Sequence, residues 1–467
     1  MTRLKTVTLR KSGIQIRWLL LFTLGACLAT GPVSAQDPVY GGLAVGVNHD
    51  LALLTNGLAT AAGRNNAYQL GHPTVTNQTF FARIAGLSNV VALAGGKTHS
   101  LALAGSNVYS FGEGTHGRLG LGDVNDRTTP TLITNFGGIS AIAAGGAHSL
   151  ALSNGFVFGF GYGGSGRLGT SATTNATRPV QTLGLSNVTN IAAGDAHSLA
   201  IRNGCVYGWG YGANGRLGTG GTTNVLSPVQ ISGLSNIVAV AAGESHSLFL
   251  RSDQTVWACG LNANGQLGDA TTTTRLTPVA VTNLNGVIAI AAGDSHSLAL
   301  LTNGLVRSWG ANGHGQLGNN STTARTTNVA VVGISNVTAL AAGEWYSAAL
   351  CSDGSLWLWG DRGYGQLADL STASYSKVPV RAITAIQIPT PPQNQAVVFG
   401  NTANFSVGVM GSTPLSYQWQ INGTALGGAT ASALAIPNAQ PADEGSYLVV
   451  LSNAVGSVTS GVATLTV

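Results

Sequence analysis

The chain has 467 residues, too many for one compact core, and 66 of them are glycine while only 8% are charged. Its formal charge of +5 is concentrated: Arg3, Lys5, Arg10, Lys11 and Arg17 precede the first acid, Asp37, and those five taken from 21 basic residues leave 16 against 16 acidic ones. A neutral remainder lacks the footprint of a nucleic-acid binder or of a protein held on an anionic membrane, and its glycines suit turn-dense β structure.

The first 35 residues read as a secretory signal. A basic start, the apolar run 18–29 and Val33-Ser34-Ala35 before Gln36 predict cleavage after Ala35 and a protein secreted or kept in the cell envelope. Leu24-Gly25-Ala26-Cys27 resembles a lipobox, so a lipid anchor on Cys27 is the alternative. No later stretch approaches the ~20 apolar residues of a membrane span.

From Gly46 to Leu350 one motif of roughly 50 residues recurs seven times. Its clearest copy runs Ala-Ala-Gly-Asp-Ser-His-Ser-Leu-Ala-Leu (291–300), then Asn303-Gly304, Trp309-Gly310 and Gly315-Gln316-Leu317-Gly318. The marker position holds His49, His99, His148, His197, His246, His296 and, substituted, Tyr346. In the fifth copy the pattern predicts strands at 237–242, 246–250, 256–259 and 278–281, four short antiparallel strands forming one blade. First strands end in small Ala-Ala-Gly, while third strands carry Phe160, Trp209, Trp309 or Trp359. Small at the axis and large farther out is the taper of a β-propeller. The expected fold is all-β, with a seven-bladed propeller over 38–387. The Gly-x-x-His turns and the Gly-Gln/Arg-Leu-Gly loops fall at the same end of each blade, so one face is built of long, variable loops. The first copy is the weakest, with Ala62-Gly63 for Trp-Gly and Tyr68 where the others have glycine.

Ile388-Pro389-Thr390-Pro391-Pro392 predicts a stiff linker over 388–395. Beyond it, 403–409, 415–420, 433–436, 447–451 and 457–467 alternate as strands of a β-sandwich over 396–467. Cys205, Cys259 and Cys351 are odd in number and sit at different repeat positions, which argues against a disulfide framework. Cys259 takes the place of Trp209 and Trp309 and reads as a small buried residue.

The His-Ser-Leu…Trp-Gly…Gly-Gln-Leu-Gly pattern over 40–386 resembles the regulator-of-chromosome-condensation repeat. Trp419 with Asp443-x-Gly445-x-Tyr447 resembles an immunoglobulin-like domain in which Val407 and Val449 replace the bridging cysteines. The first resemblance implies a propeller whose last blade is completed from both ends of the domain, here by 378–386 and 42–47. It also implies several functions. Nuclear members exchange nucleotide on a small GTPase, a role that an exported, neutral chain does not suit. A secreted bacterial propeller of similar repeats inhibits β-lactamases.

The histidines lie one per blade, so they are expected to be hydrogen-bonding scaffold rather than a metal or catalytic cluster. Residues confined to one sector are the functional candidates. Two positions before the marker stand Val47, Lys97, Gly146, Asp195, Glu244, Asp294 and Glu344, which puts acids on four consecutive blades around one mouth of the channel. Arg118, Arg167 and Arg216 replace glutamine in blades two to four, predicting an electrically split face. Symmetry breaks most in blade seven, at Glu344-Trp345-Tyr346 and Asp361-Arg362-Gly363-Tyr364, while Tyr162, Tyr211 and His314 fill loop positions elsewhere. Trp, Tyr and Arg are the residue types of interface hot spots, and aromatics also stack on sugars. The competing reading gives the acids to turn amides, the arginines to backbone carbonyls and the blade-seven aromatics to packing. No metal, cofactor or catalytic residue is assigned: one calcium ion would need carboxylates of different blades to converge, and no blade holds its own nucleophile or acid–base pair. The expected function is an exported, non-catalytic protein-binding or adhesion module. Its expected contacts are Asp195, Glu244, Asp294, Glu344, Trp345, Tyr346, Asp361, Arg362, Tyr364, Tyr162 and Tyr211. Binding of a cell-surface polysaccharide is the alternative, with a secreted enzyme inhibitor or an exchange factor behind it.

Overall fold

The computed structural model describes residues 37–467, so the expected signal segment and Cys27 lie outside the described residues. Seven four-stranded antiparallel sheets succeed one another over 40–83, 90–132, 139–181, 188–230, 237–280, 287–330 and 337–381, each with its strands paired in chain order. The first strands, whose small ends permit close approach, touch their neighbours all the way round, from 40–45 to 337–342 and back. In the fifth blade the fourth strand is Arg275–Ala280, beginning earlier than the expected 278. Pro278 therefore lies inside it. That is tolerated because this is the outermost strand, where no further strand needs the missing N–H.

Between blades the large third-strand residue fills the gap. Trp209 packs with Leu150, Leu185 and Ala200, and Trp309 with Leu248, Leu284 and Ala299. Blade five solves the same space differently. Cys259 stands where the tryptophan would be, and Phe249 replaces the small Ala200 or Ala299 of its neighbours; both lie in one buried cluster.

The expected sharing of a blade between the chain ends does not occur. Blade one is continuous from Tyr40 and blade seven ends at Arg381, each already complete with four strands. The chain leaving blade seven runs instead along the outer edge of blade one. There Phe81 N donates to Ile383 O at 2.9 Å and Ala385 N to Phe81 O at 3.0 Å. Tyr40 and Thr384 hydroxyls meet at 2.5 Å, and Arg381 pairs with Asp37 at 2.8 Å.

The tail is a β-sandwich around Trp419, Phe405 and Tyr447, with Val407 and Val449 buried in the same cluster. Tyr447 Oη donates to Asp443 O at 2.8 Å, the corner hydrogen bond of immunoglobulin-like domains. The expected linker is shorter than 388–395. Gln387–Thr390 pairs with Gly408–Met410, and Gln395–Ala396 runs parallel to Ala463–Thr466. Pro389 is accommodated because its strand has a single neighbour. The sandwich also grips the ring where its two ends meet. Asp37 accepts from Thr413 N at 2.8 Å, Thr384 N donates to Ser412 Oγ at 2.9 Å, and Asn453 Nδ2 donates to the Thr384 and Ser412 carbonyls at 3.2 Å.

Candidate functional site: the loop face of the propeller

Each Gly-x-x-His turn starts a second strand with a fully buried histidine aimed at the next blade. His49 Nε2 lies 2.9 Å from Ser100 Oγ, and the contact recurs for His99–Ser149, His148–Ser198, His197–Ser247, His246–Ser297 and His296–Ser347 at 2.8 to 3.0 Å. Each serine donates in turn to the carbonyl of Gln69, Arg118, Arg167, Arg216, Gln266 or Gln316 in the preceding blade's loop, at 2.7 to 2.9 Å. Because the hydroxyl proton goes to that carbonyl, Nε2 must carry the imidazole proton and the serine oxygen must accept it. Nδ1 of all six rings has no partner. Burial keeps the rings neutral, pushing His49, His148 and His296 down to about 3 and His246 to about 4. The motif's glycine is required by close approach: a Cβ on Gly46 would collide with the His49 imidazole and the Gly96 carbonyl. The histidines are thus clamps between blades.

On the axis the seven turns enclose a cavity of about 240 Å³, with Lys97 on one side and Asp195, Glu244, Asp294 and Glu344 on the other. Burial, and then the charges of Glu244, Glu344 and Asp195, push Asp294 up to about 8 against the pull of Lys97. Burial followed by Asp195 also raises Glu244. Glu344 accepts from Asn48 Nδ2 at 2.9 Å, across the seam to blade one.

The arginines do not form an opposing basic arc. Arg167 and Arg216 are buried, and their Nε groups donate to Gly164 O and Ala213 O, both at 3.0 Å. Their Nη1 groups donate to the backbone carbonyls of Asp195 (3.2 Å) and Glu244 (2.6 Å), bracing the acid-bearing turns of the next blades. Arg118 pairs with Glu113 at 3.0 Å. The face is therefore an acidic mouth with one lysine, not a split of two signs. Among the described residues no group of three His, Cys, Asp or Glu is placed to hold a metal ion.

Around the mouth lie aromatic platforms. Trp345 is 41% exposed and stacks on His314 of blade six, ring centroids 4.8 Å apart and planes 4° from parallel. His314 Nδ1 stands 3.3 Å from Asp361 Oδ1. Tyr211, 38% exposed, lies against Arg216, and half-buried Tyr162 lies against Arg167 and His116. Arg64 of blade one sits 4.6 Å over the Tyr364 ring.

Three expected contact residues turn inward. Tyr346 is wholly buried and donates to His49 O at 2.9 Å, taking the histidine's place in its blade. Arg362 is buried because its loop folds back over it: Nη2 pairs with Asp369 at 2.6 Å and Nη1 donates to Tyr375 O at 3.2 Å. Asp361 is buried and accepts from Gln366 Nε2 at 2.6 Å and Gly363 N at 3.2 Å. Asn48, Arg64 and the stacking role of His314 escape a sequence reading, since each acts on a residue of a neighbouring blade.

Seven blades in a closed ring, six of its seams clamped by His–Ser pairs, with one loop-built face, define the chain as a β-propeller. A model of the RCC1-like domain matches residues 134–408, more than half of the chain, and the regulator of chromosome condensation (RCC1) repeat matches 106–152. The chain belongs to the RCC1-like domain family. An immunoglobulin I-set domain matches 386–467. Among curated proteins the chain is similar to protein RCC2 homolog of Danio rerio, 35% identical over 104 residues, 22% of this chain and 18% of that protein. It is also similar to the ultraviolet-B receptor UVR8 of Arabidopsis thaliana, 33% identical over 92 residues, 19% of this chain and 21% of that protein. The chain thus spans about a fifth of the length of these relatives. Among solved structures, human WBSCR16 shares the fold with a TM-score of 0.64 at 20% identity, covering 70% of this chain and 96% of that one. Prp20p of Saccharomyces cerevisiae does so with a TM-score of 0.63 at 22% identity, covering 76% and 90%.

Proposed function

We propose that this chain is an exported, non-catalytic protein-binding or adhesion module whose loop face receives a partner that offers a basic side chain to the axial mouth. The observation that carries this reading is the mouth itself: four carboxylates against a single lysine around one cavity, with exposed Trp345 next in the chain to Glu344 and exposed Tyr211 against Arg216, which braces the Glu244 turn. A cationic group from a partner would offset the burial and the acid–acid repulsion that raise Asp294 and Glu244. An exposed indole and phenol supply large contact area at low entropic cost, as anchors of protein interfaces do. Export rests on the N-terminal segment, which has the parts of a secretory signal. Structural relatives add support. Prp20p is described for its binding properties to Gsp1p and histones, and yeast RCC1 (Prp20) with Kap60 bound to it.

Capture from the native cell envelope and culture fluid tests this, with the purified protein beside a Trp345→Ala/Tyr211→Ala variant. A protein held by the wild type and released by the variant is expected. Enrichment of polysaccharide alone would favour sugar binding by the same platforms, and captures insensitive to the variant would contradict the site.

A further inference from the structure

The ring has seven seams and six His–Ser clamps. At the seam between blades seven and one, Tyr346 stands in the histidine's place and Asp50 in the serine's place. Both are fully buried. The Tyr346 hydroxyl donates to backbone carbonyls, His49 O at 2.9 Å with Gly46 O at 3.3 Å. Gln366 occupies the loop position whose carbonyl takes the serine proton at the other seams. A Cβ on Gly63 would lie 3.3 Å from Gln366, as one on Gly112 would lie 3.2 Å from Gln69. Among the described residues neither carboxyl oxygen of Asp50 meets a hydrogen-bond partner. The titratable groups facing it are Tyr346 and, past Tyr346, Asp361; His49, next on its own strand, turns its ring to Ser100. An ionised carboxylate here would be desolvated with only the Tyr346 hydroxyl to offset part of the cost.

We propose that Asp50 is held as the neutral acid and closes the ring by donating its O–H to the Gln366 carbonyl, as serine hydroxyls do at the other six seams, which makes this seam a pH-sensitive latch. Burial raises Asp50 well above the usual carboxylate range, with the Tyr346 hydroxyl pulling the other way. The folded value lies above the unfolded one. The latch is therefore whole in acid and is lost as pH rises through the folded value, the reverse of the histidine clamps. Because the same seam joins the first and last blades, deprotonation loosens the ring at its closure.

The test follows thermal unfolding and the infrared band of protonated carboxyls from about pH 5 to about pH 10. It compares the wild type with Asp50→Asn, with Asp294→Asn (Asp294 also titrates late), and with the double variant Asp50→Ser/Tyr346→His that rebuilds the regular clamp. The wild-type melting temperature is expected to fall by several degrees relative to Asp50→Asn and to the rebuilt clamp over the alkaline limb, while Asp294→Asn keeps that fall. The wild type is also expected to show, at neutral pH, a protonated-carboxyl contribution additional to that of Asp294, lost in Asp50→Asn and kept in Asp294→Asn. Parallel melting curves, or no band that depends on Asp50, would overturn the proposal. If Asp50→Asn does not fold, the infrared comparison of the wild type with the rebuilt clamp decides it.

Discussion

Residue by residue, the loop face is held by side chains whose repetition disguises how much each does. A His–Ser–carbonyl chain crosses six seams, and each member is buried. Ser247→Ala leaves both the His197 N–H and the Arg216 carbonyl without their partner, so a loss of about 1–3 kcal/mol is expected from denaturant unfolding. The same rings set an acid limit. Their folded pKa values lie below the ordinary 6.5, so stability is full above about pH 6.5 and is lost as pH falls toward the folded values, about 3 for His49, His148 and His296 and about 4 for His246. Melting temperature measured down the pH scale should therefore decline steadily on the acid side. Tyr68 is the opposite case, a residue that strains the fold. It holds φ of 61° at the position where other blades have glycine. Tyr68→Gly removes a left-handed tyrosine and is expected to stabilise by about 1 kcal/mol, read from the same unfolding curves.

At the scale of the blade, strands and turns were legible because small, large and polar residues recur at fixed offsets. The volume exchange in blade five was less so. Phe249 is visible as a departure from Ala200 and Ala299, yet only the packing shows that it fills the space Cys259 leaves. Phe249→Ala alone should cost about 3–5 kcal/mol, since it opens a cavity in a closed core. Cys259→Trp alone should also destabilise, by overpacking. The double variant restores the arrangement of the neighbouring blades, and its cost is expected to fall well below the sum of the two. The acid arc was legible for the same reason, one residue per blade at a common offset. The inward turn of Arg362 and Tyr346 was not, because it depends on how a loop folds back and on which blade stands beside it. The arc carries its own prediction. A basic partner lowers the Asp294 pKa from about 8, so binding releases a proton and affinity should rise between about pH 6 and pH 9.

For the whole molecule, ring closure was the feature the sequence hid. Nothing in 378–386 distinguishes a strand completing blade seven from one laid along blade one, since both demand the same extended apolar segment. The register is settled by Phe81 meeting Ile383 and by the sandwich gripping Asp37, Thr384 and Ser412. The tail is consequently part of the closure. Asp37→Ala with Asn453→Ala is expected to cost about 1–3 kcal/mol in the propeller's unfolding, although neither residue lies in a blade. The binding claim is tested most directly by neutralising the mouth. Glu244→Gln/Asp294→Asn/Glu344→Gln removes the charge and keeps the shape, and capture from envelope and culture fluid can be compared with the wild type at equal fold stability. Loss of the captured protein, with melting unchanged or raised, is the predicted result. Retention of the same protein at the same affinity would contradict an acidic mouth as the site of contact.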